Sequence, residues 1–323
     1  MAEILQPPAA AHLRSKDTKH QKIAFAVMLA FFALAPLVIY PVFLMKVMCF
    51  ALFACAFNLL LGFVGLLSFG HAMFLGIAGY TAAHAAKVWG LTPELAILCG
   101  AGAACVLGIA SGLIAIRRQG IYFAMITLAL AQMVYFFCVQ APFTGGEDGI
   151  QAVPRGALFG VISLGDVRAM YVTVFSIFIA GFLLIYRIVH SPFGQVLKAI
   201  RENEARAVSL GYDTDRYKLV AFVLSATLAG VAGAMNAIVF QLAALNAVHW
   251  TMSGEVVLMT LVGGLGTVFG PVVGALAVLA MENYLATLGA WVTIAQGVIF
   301  VLCVLTFRRG IVGELSKRLS KPL

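Results

Sequence analysis

Charge is scarce in this chain. Asp, Glu, Lys and Arg make up 11% of its 323 residues, while 63% are hydrophobic. An ordinary soluble domain is about 25% charged. A water-soluble fold of this length needs more polar surface than the sequence owns, so composition argues against a soluble enzyme or binding module. Enzyme signatures are missing too. There is no H-E-x-x-H, no G-x-S-x-G and no G-x-x-x-x-G-K-[ST], so zinc-protease, serine-hydrolase and P-loop chemistry have no motif to stand on. The cysteines are Cys49, Cys55, Cys99, Cys105, Cys138 and Cys303, all within apolar runs and without a CxxC pair. They read as small apolar residues of membrane helices, with no disulfide and no metal site.

What the chain does have is long apolar runs, with a mean hydropathy of +1.03. Lipid offers backbone groups no water, so a spanning segment must be a helix or part of a closed barrel. Runs of about 20 residues without alternation select helices. The expected spans are 22–40, 42–63, 66–86, 93–116, 120–141, 169–189, 218–242 and 287–307, with a further apolar stretch over 253–281. The first run follows Arg14, Lys16, Lys19 and Lys22 and ends at Pro36, Tyr40 and Pro41, which reads as a retained span and not a cleaved signal peptide. The expected fold is therefore an all-α integral membrane protein, a polytopic helical bundle with about eight to ten crossings. It divides into a tail over 1–21, a transmembrane domain over 22–310 and a second tail over 311–323.

The net charge of +8 does not call for nucleic acid. Basic residues gather at the N-terminus, at Arg117 and Arg118, over 187–218 and in the C-terminal tail, as in cytoplasmic flanks of membrane helices. Parity then requires 253–281 to cross an even number of times, as two short spans or a re-entrant pair. Gly263, Gly264, Gly266, Gly270 and Pro271 supply the break. A second glycine-broken region holds Gly62, Gly65, Gly70, Gly76 and Gly79 around Ser68 and His71. Paired interruptions point to a pathway built from inverted repeats; close helix packing explains the same glycines.

Segment 187–218 carries the most local information. Ser191 before Pro192 is a helix start, and Asn203 can cap a second short helix with Glu204 in its first turn. Gly211 can close it. Leu197, Ile200, Ala207 and Val208 share a face, with Lys198, Arg201, Glu202 and Arg206 elsewhere. A helix, a turn and a short helix are expected on the cytoplasmic side.

This loop resembles the coupling segment of ABC importer permeases, in which a short helix docks on the ATPase. Glu204-Ala205 followed by Gly211 is similar to the EAA–glycine pattern, with the glycine one position late and no Leu-Pro after it. The longer strings AIRENEARAVSLGYDTDRYKLVAFVLSATLAGVAGA, NLLLGFVGLLSFGHAMFLGIAGYTAA, GIYFAMITLALAQM, TGGEDGI and GGLGTVFGPVVGA resemble the LivM-type permeases of branched-chain amino acid importers across residues 45–310. The resemblance implies a LivH-type sister permease, two cytoplasmic ATPase subunits and an extracytoplasmic solute-binding protein, in a cell inner membrane with both termini cytoplasmic. It implies no cofactor in this chain, since ATP is bound by partners. Ile200, Arg201, Glu202, Asn203, Glu204, Ala205, Arg206 and Gly211 become ATPase-coupling candidates. Ser68, Gly70, His71, Thr144, Gly145, Gly146, Gly263, Gly264 and Gly266 become pathway or gate candidates.

Several roles stay open at this level. His71 either lines the substrate path or holds a broken helix by a hydrogen bond. The 144–149 string is either a tight turn or a loop near an outer gate or docked binding protein. Lys46 is expected to snorkel near the outer surface, and Glu255 has no assigned role. A mostly apolar interior suits leucine, isoleucine or valine; urea, amides and other amino acids are alternative cargoes. An ion-gradient-driven transporter would need intramembrane carboxylates or a polar pore ring, which the spans scarcely offer.

Overall fold

The structure, a computed structural model, describes residues 8–160, 162–286 and 310–318, with isolated positions between 291 and 306. The span expected over 287–307 falls for the most part outside the described residues. Helix α1 covers Pro8–Leu34, α2 Pro41–Asn58, α3 His71–Lys87, α4 Pro93–Ala115 and α5 Ile121–Gln140. Then come α6 at Val167–His190, α7 at Pro192–Glu202, α8 at Glu204–Ser209 and α9 at Thr214–Phe240. The described chain closes with α10 at Trp250–Gly263, α11 at Gly270–Leu285 and α12 at Gly310–Arg318. Sheet is confined to two-residue strands in the connections. Ile150–Gln151 pairs antiparallel with Leu242–Ala243, and Ala157–Leu158 with Ile162–Ser163. The molecule is all-α and polytopic. Among the described residues, five helices are long and apolar enough to cross a membrane: Pro41–Val64, Pro93–Ala115, Ile121–Gln140, Val167–His190 and Thr214–Phe240. Gln21–Leu37 and Gly270–Leu285 are shorter apolar helices.

Burial sorts these helices into layers. The Pro41–Val64 segment is 94% buried in its apolar window and forms the axis of the bundle. An all-round apolar helix is what an axis requires. The outer helices α4, α5 and α6 expose Leu98, Val106, Met133, Phe136, Val172 and Leu184, side chains that lipid and not water would cover. Around the axis, α3, α4 and α9 approach through small residues. Gly230 faces Ala104 and Ala101, and Gly100 lies on the Ala78 carbonyl. A Cβ on Gly233 would overlap the Leu75 carbonyl. In this part of the bundle, close packing accounts for Gly79, which sits over Gly233.

The two glycine-broken regions differ in kind. The first lies between helices. A π-helical turn over Leu59–Val64 extends α2 and ends at Gly65, with φ of 86°. The chain then stays non-helical until His71, so α3 starts later than the expected residue 66. A positive φ favours glycine, and Thr127 Oγ1 accepts the Phe69 N–H at 3.2 Å, fixing the bend. The second break falls where expected. Gly264–Phe269 separates α10 from α11, and these two helices pack antiparallel, with Gly263 on the Gly270 carbonyl and Gly274 on the Met259 carbonyl. Their 14 and 16 residues reach about 21 and 24 Å at 1.5 Å per residue, short of a hydrocarbon core of about 30 Å.

One expectation is corrected. Lys46 is not a lone snorkelling side chain; its Nζ lies 3.2 Å from Glu282 Oε2 and joins α2 to α11. Helix α1 runs unbroken from Pro8 past the tail boundary expected at residue 21.

The packing makes a direct prediction. Gly233→Val should lower stability by about 1–3 kcal/mol, the cost of overpacking, while Gly102→Val, with open space around it, should leave it unchanged. Thermal unfolding in detergent reads both.

Candidate functional site

The helix pair α7–α8 is built by local caps. Ser191 Oγ accepts the Gly194 N–H at 3.3 Å, and Pro192 occupies the first helical position. Asn203 ends α7 in an extended conformation, and its Oδ1 accepts the Arg206 N–H at 3.0 Å to open α8. The chain turns through Gly211 at φ of 90°, and Asp213 Oδ1 caps α9 on Arg216 N–H at 3.3 Å. Because these caps reach only three residues, the sequence specifies them fully.

Leu197, Ile200 and Ala207 are buried, as expected of one apolar face. Val208 departs from it: at 54% exposed, it stands outward beside Leu210 at 68%. A six-residue helix has too short a stripe to bury both neighbours of Ala207 against α9. Glu202 and Ala205 are exposed. Glu204 is not a free surface carboxylate. It accepts from Lys218 Nζ and, at 3.3 Å, from Thr214 Oγ1. The Lys218 side chain is only 2% exposed, so the pair fixes α8 to the first turns of α9. Removing one partner would leave a buried charge uncompensated. Arg206 carries no side-chain partner among the described residues.

Arg201 does something different. Its Nη1 donates to the Gly62 carbonyl, in the π-helical turn of α2. A π turn leaves backbone groups out of the regular ladder, and Arg201 engages one of them. Gly65 packs on the Arg201 side-chain stem, and Gly266 sits against its guanidinium. Lys198 Nζ lies 5.7 Å from the Phe63 ring. Thus α7 is pinned to both breaks at once.

The breaks are also tied to each other. Asn58 Nδ2 donates to the Thr267 carbonyl at 2.8 Å, and its Oδ1 accepts the Gly266 N–H at 3.1 Å. Gly266, at φ of 73°, presents that N–H only because it has no Cβ to strike the Gly62 carbonyl. Thr267 Oγ1 closes the turn, donating to Gly264 O at 2.8 Å and accepting Gly270 N–H at 3.1 Å. Gly264 in turn packs against Gly310 at the start of α12. So Arg201, Gly263, Gly264 and Gly266 come together in one junction, while Ile200, next to Arg201 in sequence, is buried.

Ser68, Gly70 and His71 pack on other helices. His71 is fully buried among the edges of Phe57, Phe74 and Phe222. Its Nε2 lies 2.8 Å from Ser225 Oγ, which itself donates to the Ala56 carbonyl. Since the hydroxyl proton is committed, Nε2 is the donor in this bond. Of the two readings, the geometry matches the histidine that holds helices: it joins α3 to α9 and, through Ser225, to α2. Ser68 Oγ accepts the Gly70 N–H at 3.2 Å, and Gly70 presses on the Thr127 backbone.

Thr144, Gly145 and Gly146 sit at the far end of α5 from these groups. Thr144 Oγ1 bonds the Cys138 and Ala141 carbonyls at 2.6 Å, and Gly149 packs on the Ala243 carbonyl. This is a tight turn stapled to the chain after α9. The sequence reading missed Asn58, Thr127, Lys218 and Ser225. Asn58 left one signal, as the lone amide in the apolar run 42–63; a polar group in such a run is a functional candidate.

The family of the branched-chain amino acid transport system / permease component matches residues 40–307. The chain belongs to this family. Its members in the comparison include the high-affinity branched-chain amino acid transport system permease protein LivM of Escherichia coli K12, 24% identical over 82% of this chain and 68% of that protein. LivM of Salmonella typhimurium is 25% identical over the same shares. The ribose import permease protein RbsC of Escherichia coli K12 is also similar, 27% identical over 70% of this chain and 73% of its own length. No solved structure matches. The matched region contains the whole Asn58–Arg201–Gly266 junction, which places this junction within the family's shared domain.

Replacing Asn58 by Ala should cost about 1–3 kcal/mol, because the Gly266 N–H and Thr267 carbonyl lose their partner in a water-poor site. Chemical denaturation of the purified chain measures it.

Proposed function

We propose that this chain is a permease subunit of an ATP-binding-cassette importer that moves leucine, isoleucine and valine across the inner membrane. A LivH-type sister permease completes the pathway, two cytoplasmic ATPase subunits power it, and an extracytoplasmic binding protein delivers cargo. Both termini and the α7–α8 pair lie on the cytoplasmic side. The observation that carries this reading is the Arg201 contact to Gly62 beside Gly266. A motion of α7 acts directly on both glycine-broken segments, so a push from an ATPase reaches the bundle axis through one side chain.

The chemistry of α8 supports the docking half of the reading. Val208 and Leu210 stand exposed next to the unpartnered Arg206, an apolar and cationic surface suited to a groove on a partner. Glu204 acts from behind by fixing α8 to Lys218. At the other end, the rigid 144–149 turn offers a surface for a delivering protein. The packing of Gly263 and Gly264 against α11 and α12 gives the α10–α11 hairpin a defined pivot.

A sugar cargo is the second reading, favoured by the similarity to the ribose import permease and to a xylose transport permease of Haemophilus influenzae. Proteoliposomes containing this chain with its sister permease, ATPases and binding protein decide between them. ATP-dependent uptake of labelled leucine is expected, without uptake of ribose. Arg201→Ala should cut leucine carried per ATP hydrolysed by at least about tenfold, equivalent to about 1.4 kcal/mol of coupling. An unchanged ratio contradicts the role given to Arg201, and ribose uptake in place of leucine contradicts the cargo.

A further inference from the structure

A cavity of about 370 Å³ opens between α2, α3, α9, α10 and α11, away from the coupling junction. Its lining departs from the apolar interior expected of the sequence. Lys46, Glu255 and Glu282 all reach it. Lys46 and Glu282 form their ion pair at 3.2 Å with side chains 33% and 41% exposed, so the pair faces the cavity and is not sealed into packing. Glu255 makes no salt bridge among the described residues. Asn236 lines the same space, and its Oδ1 is buried without a hydrogen-bond partner. Asn246 adds a second amide, and the rest of the wall is largely apolar, with Phe50, Leu75 and Met252. Gly76, Gly79 and Gly233 contribute to the α3–α9 side.

We propose that this cavity binds an α-amino acid zwitterion, with Lys46 taking the carboxylate and Glu255, Glu282 and Asn236 taking the ammonium. The proposal rests on the amino acid reading above and adds the site. An ammonium carries three donors, and the cavity offers three acceptor groups: two carboxylates and the orphaned amide oxygen. A bound zwitterion enters the Lys46–Glu282 pair by exchange. Its carboxylate replaces Glu282 at Lys46, and its ammonium replaces Lys46 at Glu282. Each charge of the zwitterion meets an opposite charge of the lining, and Lys46 and Glu282 each keep a counter-charge in a site of low polarity, where an unpaired one is costly. An aliphatic side chain then lies on Phe50, Leu75 and Met252 and gains by leaving water. A sugar has neither charge and leaves Glu255 unpaired. A simple carboxylate adds to an already negative lining, and a simple amine reaches Glu255 but makes no contact with Lys46.

Equilibrium binding of tritiated L-leucine to the purified full-length chain in lipid nanodiscs tests this. Glu255→Gln, Asn236→Ala and Lys46→Met should each weaken binding by at least about tenfold. Lys46→Arg, which keeps the charge, should hold it within about threefold. 4-Methylpentanoate and ribose should each compete at least about tenfold worse than leucine. Melting temperatures matching wild type show that the variants are folded. Wild-type affinity in the folded variants, or no binding of any common α-amino acid, overturns the proposal. Cavity-dependent binding of another α-amino acid in place of leucine upholds the site and overturns the branched-chain cargo.

Discussion

Everything in this architecture turns on backbone groups that leave the helical ladder inside an apolar bundle. In lipid or dry protein such groups must find partners within the chain. Here the partners are few and specific. One Asn58 amide satisfies a donor and an acceptor of the 264–269 turn, and one guanidinium, from Arg201, takes a carbonyl of the π turn. The irregular segments exist where these two side chains reach them. Because α7 supplies one of the two, the broken segments and the surface helix share a single junction.

This arrangement holds different parts of the bundle by different contacts. The α3–α4–α9 unit is locked by glycine and alanine contacts that leave no space for sliding. His71 and Ser225 add a buried polar tie between α3, α9 and the axis. By contrast, the α10–α11 hairpin meets the axis through Asn58 and through the Lys46–Glu282 pair at its other end. Buried Val256, Met259, Val272 and Leu279 pack the hairpin as well, Ser253 Oγ accepts the Ala72 N–H at 2.9 Å, and the cavity lies along one side of it. The proposed coupling junction and the proposed cargo cavity lie at opposite ends of this one element.

How much of this the sequence discloses depends on distance along the chain. Ser191, Asn203 and Gly211 were readable because a cap acts over three residues. The 264–269 break was readable because parity of crossings demanded it and glycine and proline mark it locally. The Asn58–Gly266 bond joins residues 208 apart, and the Lys46–Glu282 pair residues 236 apart; no periodicity encodes either partner. Val208 shows the limit from the other side. Helical spacing put it with Ala207, but a helix as short as α8 has too little neighbouring surface to bury both. Glycine itself was ambiguous in sequence: Gly62 and Gly266 serve the junction, whereas Gly79 and Gly233 serve close packing, and only their neighbours tell them apart.

The central claim is that Asn58 and Arg201 act as one mechanical unit. A double-mutant cycle on leucine transported per ATP hydrolysed, with Asn58→Ala, Arg201→Ala and the pair in the reconstituted transporter, tests it most directly. The account predicts that the double variant is no worse than the weaker single one, because Asn58→Ala parts the two breaks from each other and Arg201→Ala parts α7 from them, and either change interrupts the same link. Losses that multiply would mean that the two residues act independently, and the shared junction would be wrong.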